Sequence, residues 1–573
     1  MKPVRLPAAA THALPRWVLF ALCLLYILPG LIGRDPWKSE DAAGFGIMWT
    51  MAHGGLEDWL WPHIVGMPMP EKGPLAYWIG AVCIKLFGWL LGDTLAARIS
   101  TGVFFLLGSM SVWYTTYLLG RRAEAQPLRL AFGGQPEPRD YGRTLADGAL
   151  LIYLGSLGLL LHSHSTSTEA LQISLIAFSM YGAARLFDAQ SRRAALLLGV
   201  TLGLLVLTRG WVLPLALWFA LLIFSSLRDK KLLTRLVLFT LPAAMAVAAT
   251  WLAVNHYVRP FHSSPYAAWM TWNYQQLGMP SWNATKYLLK NTPWFAWPAW
   301  PFAAWAVYAW RKQQQPLHIA LPLMYLITFV VLATLGPRTE ESLLPLLPPL
   351  AILAAFGLPT MKRGAINAVD WFSVMTLTTC AGFIWIGWIA KQTGWPAQIA
   401  KNAFKLAPGF KPEFNLIAFI VAACASAGWI VLVHWRVSRK PSVLWRAVVL
   451  SSGGVILCWL LLMTLWLPWI NYGKSYAGVA QQLAQNLPPV RNCVDSDVRP
   501  AQRASFAYFG DIPFARFGEG NCDFLLLQDS NPDGKTGSAK LITRANQRWR
   551  LLWEGHRPSD RDERFRLYAR VKR

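Results

Sequence analysis

Residues 17–46 read WVLFALCLLYILPGLIGRDPWKSEDAAGFG: an apolar run as far as Gly33, then Asp35, Glu40 and Asp41 within seven residues. The run is long enough to enter a hydrocarbon core about 30 Å thick. Lys2, Arg5 and Arg16 precede it, and because cytoplasmic flanks are enriched in Lys and Arg, the N-terminus is expected inside and the acidic stretch outside. No small-x-small cleavage site follows, so the run reads as a retained first helix.

The same alternation continues along the chain. After about 17–32, apolar runs near 95–119, 145–161, 170–187, 195–211, 213–227, 235–255, 294–310, 317–335, 342–360, 370–391, 414–434 and 444–468 predict about thirteen transmembrane helices. The loops after every second run are basic: RRAEAQPLR at 121–129, SRR at 191–193, RDKK at 228–231, RK at 311–312, MKR at 361–363 and HWRVSRK at 434–440. Of 573 residues, 54% are hydrophobic and 14% charged, which excludes an ordinary soluble globular protein. The net charge of +25 lies in these short clusters, so it reports topology and does not call for a nucleic-acid partner. Of the seven cysteines, five lie in apolar runs, and only Cys493 and Cys522 stand where a disulfide could form.

Function is therefore sought in the segments expected outside, above all 33–94. Within it, LAYWIGAVCIKLFGWLLG (75–92) would break the parity of the basic loops if it crossed, and reads as a helix at or re-entering the outer interface. From Asn471 the composition becomes that of a soluble domain: SYAGVAQQLAQNL has helical periodicity, while CDFLLLQD and RFRLYARV read as strands. The expected fold class is an all-α polytopic membrane protein, residues 1–470, with a small external α/β domain, residues 471–573.

The chemistry-bearing candidates share the outer side. A carboxylate at the mouth of a helix bundle can act as a general base, and Asp35, Glu40 and Asp41 are so placed. Lys72, after Glu71 in GMPMPEKGPLAYW (66–78), can bind a phosphate as a point charge. Tyr77 and Trp78 could stack on a sugar or anchor the interface. Glu169 opens a span after HSHSTST, and GPRTEESLLPLLPPL (336–350) brings Arg338, Glu340 and Glu341 to the rim. No GxxxxGK[ST] loop occurs, which argues against ATP-driven work by this chain. The HSH at 162–164 lacks zinc-helix spacing, so no metal is assigned, and a divalent ion remains open.

The order of these features resembles the bacterial GT-C class membrane glycosyltransferases, the group that includes protein O-mannosyltransferases and lipid A aminoarabinose transferases. The resemblance covers roughly residues 17–360. The family's acidic pair, usually Asp-Glu, appears as Glu40-Asp41, and its Glu-Lys-Pro-Pro-Leu motif and Tyr-Trp as Glu71-Lys72-Gly73-Pro74-Leu75 and Tyr77-Trp78. Glu169 stands where Asp is common, Thr208-Arg209-Gly210 where Thr-Lys-Gly is common, and Arg338 where a basic residue precedes a Tyr-x-x-Pro stretch that here lacks its Tyr. The resemblance implies a multi-pass protein of a bacterial inner membrane, N-terminus cytoplasmic and C-terminal domain periplasmic. It implies an inverting transfer of a sugar from a polyprenyl-phosphate donor to an envelope glycolipid or protein, among membrane lipids. Glu40 or Asp41 would be the base, Lys72 and Arg338 would receive the departing phosphate, and Asp35, Glu71, Tyr77, Trp78 and Glu169 would line the substrate.

The rival reading is a multi-pass lipid or sugar transporter, which predicts ionisable residues at mid-span and matched broken helices in two halves. Arg209 answers to the first, but no half-to-half repeat is visible.

Overall fold

The computed structural model describes residues 4–129, 133–258, 264–439, 443–488, 493–516, 522–529 and 549–571. Helices dominate, and each of the thirteen apolar intervals contains one. Among the described residues eight helices are long and apolar enough to cross a membrane: Asp93–Gly120, Thr168–Ala189, Lys230–Val258, Leu317–Leu335, Glu340–Thr360, Arg363–Thr393, Leu416–Ser438 and Arg446–Leu465. Arg16–Gly30, Leu75–Leu91 and Val212–Ser226 are shorter apolar helices. The continuous run 195–227 breaks at Arg209-Gly210, where helix Arg192–Thr208 ends before Val212–Ser226 begins.

Burial separates core helices from peripheral ones. Thr168–Ala189, Glu340–Thr360 and Arg446–Leu465 lie mostly inside, whereas Arg363–Thr393 and Leu416–Ser438 turn Trp371, Phe383, Ile417 and Ile430 outward. Water would penalise so much exposed apolar surface, but a bilayer does not. Asp93–Gly120 is a central strut, packed on Leu75–Leu91, Pro138–Leu154 and Thr168–Ala189.

At the other end of the chain, strands β3 (Val494–Asp497), β4 (Phe524–Asp529), β5 (Trp549–Arg557) and β6 (Asp560–Arg570) form a sheet in the order β3-β4-β6-β5, with only β3 and β4 parallel. A further hairpin, β1 (His63–Ile64) with β2 (Met67–Pro68), lies in the loop 54–74. Helices Ala477–Gln485 and Pro500–Gly510 cover the larger sheet through Val479, Leu483, Phe506, Phe524, Leu526, Phe565 and Leu567. Cys493 and Cys522 are joined in a disulfide just before β3 and β4. The compositional change at 471 falls inside a short helix, Leu467–Lys474, that follows the last long apolar helix.

The sheet domain is not separate from the acidic stretch. Asn471 accepts from the Trp37 indole at 2.8 Å and donates to the Gly33 carbonyl at 2.9 Å. Helix Glu40–His53 packs along Pro500–Gly510, with Phe45 edge-on to Tyr508 at 4.8 Å.

Candidate active site

Glu40 and Asp41 are the first two residues of helix Glu40–His53. Neighbours on a helix point about 100° apart, since a turn takes 3.6 residues, and the two carboxylates go to different places. The Asp41 side chain is 5% exposed and that of Glu40 47%.

Asp41 Oδ2 accepts from Arg34 Nη2 at 3.1 Å, Arg98 Nη2 at 3.0 Å and the Trp37 amide at 3.1 Å. Its Oδ1 accepts from the Thr166 amide at 2.9 Å and the Thr166 hydroxyl at 3.0 Å. Burial alone would raise its pKa, but Arg34 and Arg98 together hold the carboxyl well below the usual carboxylate range. A carboxylate so fully hydrogen-bonded has no lone pair facing a substrate proton. It fixes the loop 34–41 against 164–166, where His164 is itself buried, its ring nitrogens on the Leu160 and Tyr26 carbonyls.

Glu40 faces Lys72. Lys72 Nζ lies 2.7 Å from Glu40 Oε2 and 3.8 Å from Glu169 Oε1, with its side chain only 4% exposed. Burial would lower its pKa, yet the carboxylates of Glu169 and Glu40 raise it, so the ammonium stays charged. Backbone contacts set its position: the Lys72 amide donates to the Met69 carbonyl at 3.2 Å, and the Gly73 amide to the Thr208 carbonyl at 3.1 Å. A Cβ at Gly73 would meet the Leu207 carbonyl oxygen at 2.2 Å. The EKG and TRG motifs therefore touch through backbone, and Gly73, with no Cβ and with its N–H free to donate, both permits the approach and supplies the donor.

From Lys72 the charges continue. Glu169, fully buried at the start of helix Thr168–Ala189, is 3.0 Å from Arg209 Nη1, and Arg209 Nη2 pairs with Glu341. The result is an alternating row, Glu40–Lys72–Glu169–Arg209–Glu341, drawn from five segments. Beside Arg209 lies a cavity of about 110 Å³ lined by Trp272, Asn273, Phe329, Leu332 and Glu341 among others. The second cation of the cluster is thus Arg209, not Arg338, which is exposed on the loop before Glu340 with no ion pair among the described residues.

The other candidates divide similarly. The Tyr77 hydroxyl is buried without a hydrogen-bond partner among the described residues, in the first turn of helix Leu75–Leu91 and five residues after Lys72. Trp78 points away, its indole donating to the Trp59 carbonyl at 2.6 Å. Asp35 turns toward the sheet domain, its amide on Asn471 Oδ1 and its carboxyl on Ser475, with burial raising its pKa. Glu71 is half-buried next to Lys72. Arg34, Arg98 and Thr166 also support the site. Arg98, a lone charge in the apolar TLAARISTGVFF, was the available signal.

No family model matches the chain. Over 463 residues, 78% of this chain and 73% of the other, it is 27% identical to undecaprenyl phosphate-alpha-4-amino-4-deoxy-L-arabinose arabinosyl transferase 1 of Pseudomonas fluorescens. Over 450 residues, 76% and 73% of the two chains, it is 26% identical to the transferase of the same name from Pseudomonas aeruginosa. The crystal structure of ArnT from Cupriavidus metallidurans bound to undecaprenyl phosphate superposes with a TM-score of 0.68 at 15% identity, covering 97% of this chain and 98% of that one. These matches favour a transferase over a transporter. In sequence the chain is similar to the undecaprenyl phosphate-aminoarabinose arabinosyl transferases, and in architecture it has the GT-C fold of the membrane glycosyltransferases.

Proposed function

We propose that this chain is an inverting glycosyltransferase of a bacterial inner membrane, with its N-terminus cytoplasmic and its C-terminal domain periplasmic. It takes a sugar from a polyprenyl-phosphate donor, undecaprenyl phosphate by analogy with the named relatives, and delivers it to an envelope acceptor such as lipid A, another glycolipid or a protein. The observation that carries this reading is the buried Lys72 ammonium shared between Glu40 and Glu169.

The arrangement suits a direct displacement. A donor phosphate entering the cluster takes the Lys72 ammonium from Glu40, and this contact releases the Glu40 carboxylate for a proton. The acceptor oxygen attacks the anomeric carbon on the face opposite the phosphate, its proton passes to Glu40, and the sugar–phosphate bond breaks with its electron pair on phosphate. Lys72, backed by Arg209, meets the charge that develops there. Fixed cations in a dry site stabilise such charge better than water does. Asp41 holds the base-bearing helix, and the free Tyr77 hydroxyl is a ready hydrogen-bond group for donor or acceptor.

The test is transfer in liposomes from undecaprenyl-phosphate-linked 4-amino-4-deoxy-L-arabinose and from other polyprenyl-phosphate sugars to lipid A and to envelope extracts. Transfer by wild type and its loss in Lys72→Ala support the reading; equal behaviour of the two proteins contradicts it.

A further inference from the structure

We propose that Arg503, in the external sheet domain, is a positioning residue for Lys72: it clamps a strained turn in the hairpin that delivers the lysine. The inference rests on the reading of Lys72 and Glu40 as the transfer site, and it gives the C-terminal domain a part in the active-site geometry.

Strands β1 and β2 are joined by two residues only, Val65 and Gly66, both at positive φ, +46° and +80°. Two-residue hairpins of that kind follow the twist of their strands and are usually built from Asn-Gly. Gly66 adopts this conformation freely, but a β-branched residue there is a true outlier. Such strain persists only where the surroundings over-determine it.

The surroundings at Val65 come from two other elements. Its amide donates to Thr50 Oγ1 at 3.2 Å, on the helix that begins with Glu40. Its carbonyl accepts from Arg503 Nη2 at 2.7 Å, and the Ile64 carbonyl from Arg503 Nε at 3.1 Å. Arg503 is itself held within the sheet domain. It is 2% exposed, donates to Ser496 Oγ at 2.8 Å and to the Ala515 carbonyl, and lies 4.7 Å from the Phe514 ring centre.

A planar guanidinium can reach two successive carbonyls while its other donors stay home; a lysine ammonium cannot. Beyond the hairpin the path to the site is short: the Met69 amide returns to the Pro62 carbonyl at 2.9 Å, and the Lys72 amide to Met69 at 3.2 Å. One side chain thus joins the sheet domain to the segment that carries Lys72 and, through Thr50, to the helix that carries Glu40.

The test compares the full-length wild type with R503K, V65N, R503K/V65N and K72A, by amide hydrogen exchange of residues 60–73 and by steady-state transfer. R503K is expected to speed exchange in the hairpin and to lower kcat by about tenfold or more with little change in donor KM, as small misplacements of a catalytic group do. Asn tolerates the left-handed conformation, so R503K/V65N is expected to return to the V65N level in both readouts. Unchanged exchange and kcat in R503K, or a double variant that stays folded and as impaired as R503K, would overturn the proposal. K72A judges the other reading separately: a K72A protein that transfers as wild type does defeats the transfer site, whatever the hairpin does.

Discussion

The Lys72 ammonium lies 2.7 Å from the Glu40 carboxylate, across 32 residues of chain and from a different segment. Asp41, the next residue along, is turned onto Arg34 and Arg98. One helical step therefore sends the two carboxylates of an acidic pair to different partners, Glu40 to Lys72 and Asp41 to Arg34 and Arg98.

The two carboxylates should respond differently to loss of charge. Glu40→Gln is expected to keep its thermal stability, because the side chain is half exposed, and to lose transfer by about 10²–10⁴-fold, the usual share of a general base. Asp41→Asn leaves two buried guanidiniums short of their counter-charge, which typically costs about 3–5 kcal/mol. Thermal unfolding in detergent, read beside transfer, separates the two effects.

Asp41 also predicts an acid limit. Its folded pKa is depressed, so its stabilising contribution is present above the unfolded value of about 4 and is lost as pH falls through the folded one. Unfolding followed from pH 7 downward should show wild type losing stability below about pH 4, while Asp41→Asn, already destabilised, should lose less over that window.

Arg209 and Arg338 offer a second contrast. Arg209→Ala leaves Glu169 buried with Lys72 as its one ion-pair partner among the described residues and removes the partner of Glu341. Transfer should collapse and Lys72 should be drawn toward Glu169. Arg338→Ala, at an exposed position, should change stability by no more than about 0.5 kcal/mol and leave donor KM near the wild-type value.

The disulfide closes a loop of 29 residues in sequence. Replacing both Cys493 and Cys522 by Ser should destabilise the sheet domain by about 3–4 kcal/mol on the chain-entropy estimate. Limited proteolysis between residues 475 and 571 would report it, while the membrane helices stay resistant.

Much of this organisation was legible in the sequence. Helices occur in all thirteen apolar intervals, eight of them among the described residues long and apolar enough to cross a membrane where thirteen spans were expected, and the Thr208-Arg209-Gly210 break and strands β4 and β6 fall where punctuation and alternation put them. The division between Glu40 and Asp41 was not legible, because it depends on which residue starts the helix and on Arg98 and Thr166, 57 and 125 residues away. Arg209 was visible as a charge in an apolar run and as the basic residue of the Thr208-Arg209-Gly210 motif, but its partners were not. That it reaches Glu169, 40 residues back, and Glu341, 132 ahead, is set by tertiary packing. The Val65 strain left no pattern, since Val-Gly reads as an ordinary strand end.

The division of labour at the helix start is tested most directly by single-turnover transfer from a labelled polyprenyl-phosphate sugar to lipid A, with donor binding measured on the same Glu40→Gln protein. Binding close to wild type with sugar transfer abolished would place Glu40 in the chemical step. Transfer at the wild-type rate would contradict it, and the Glu40–Lys72 pair would then be a structural ion pair at the membrane surface.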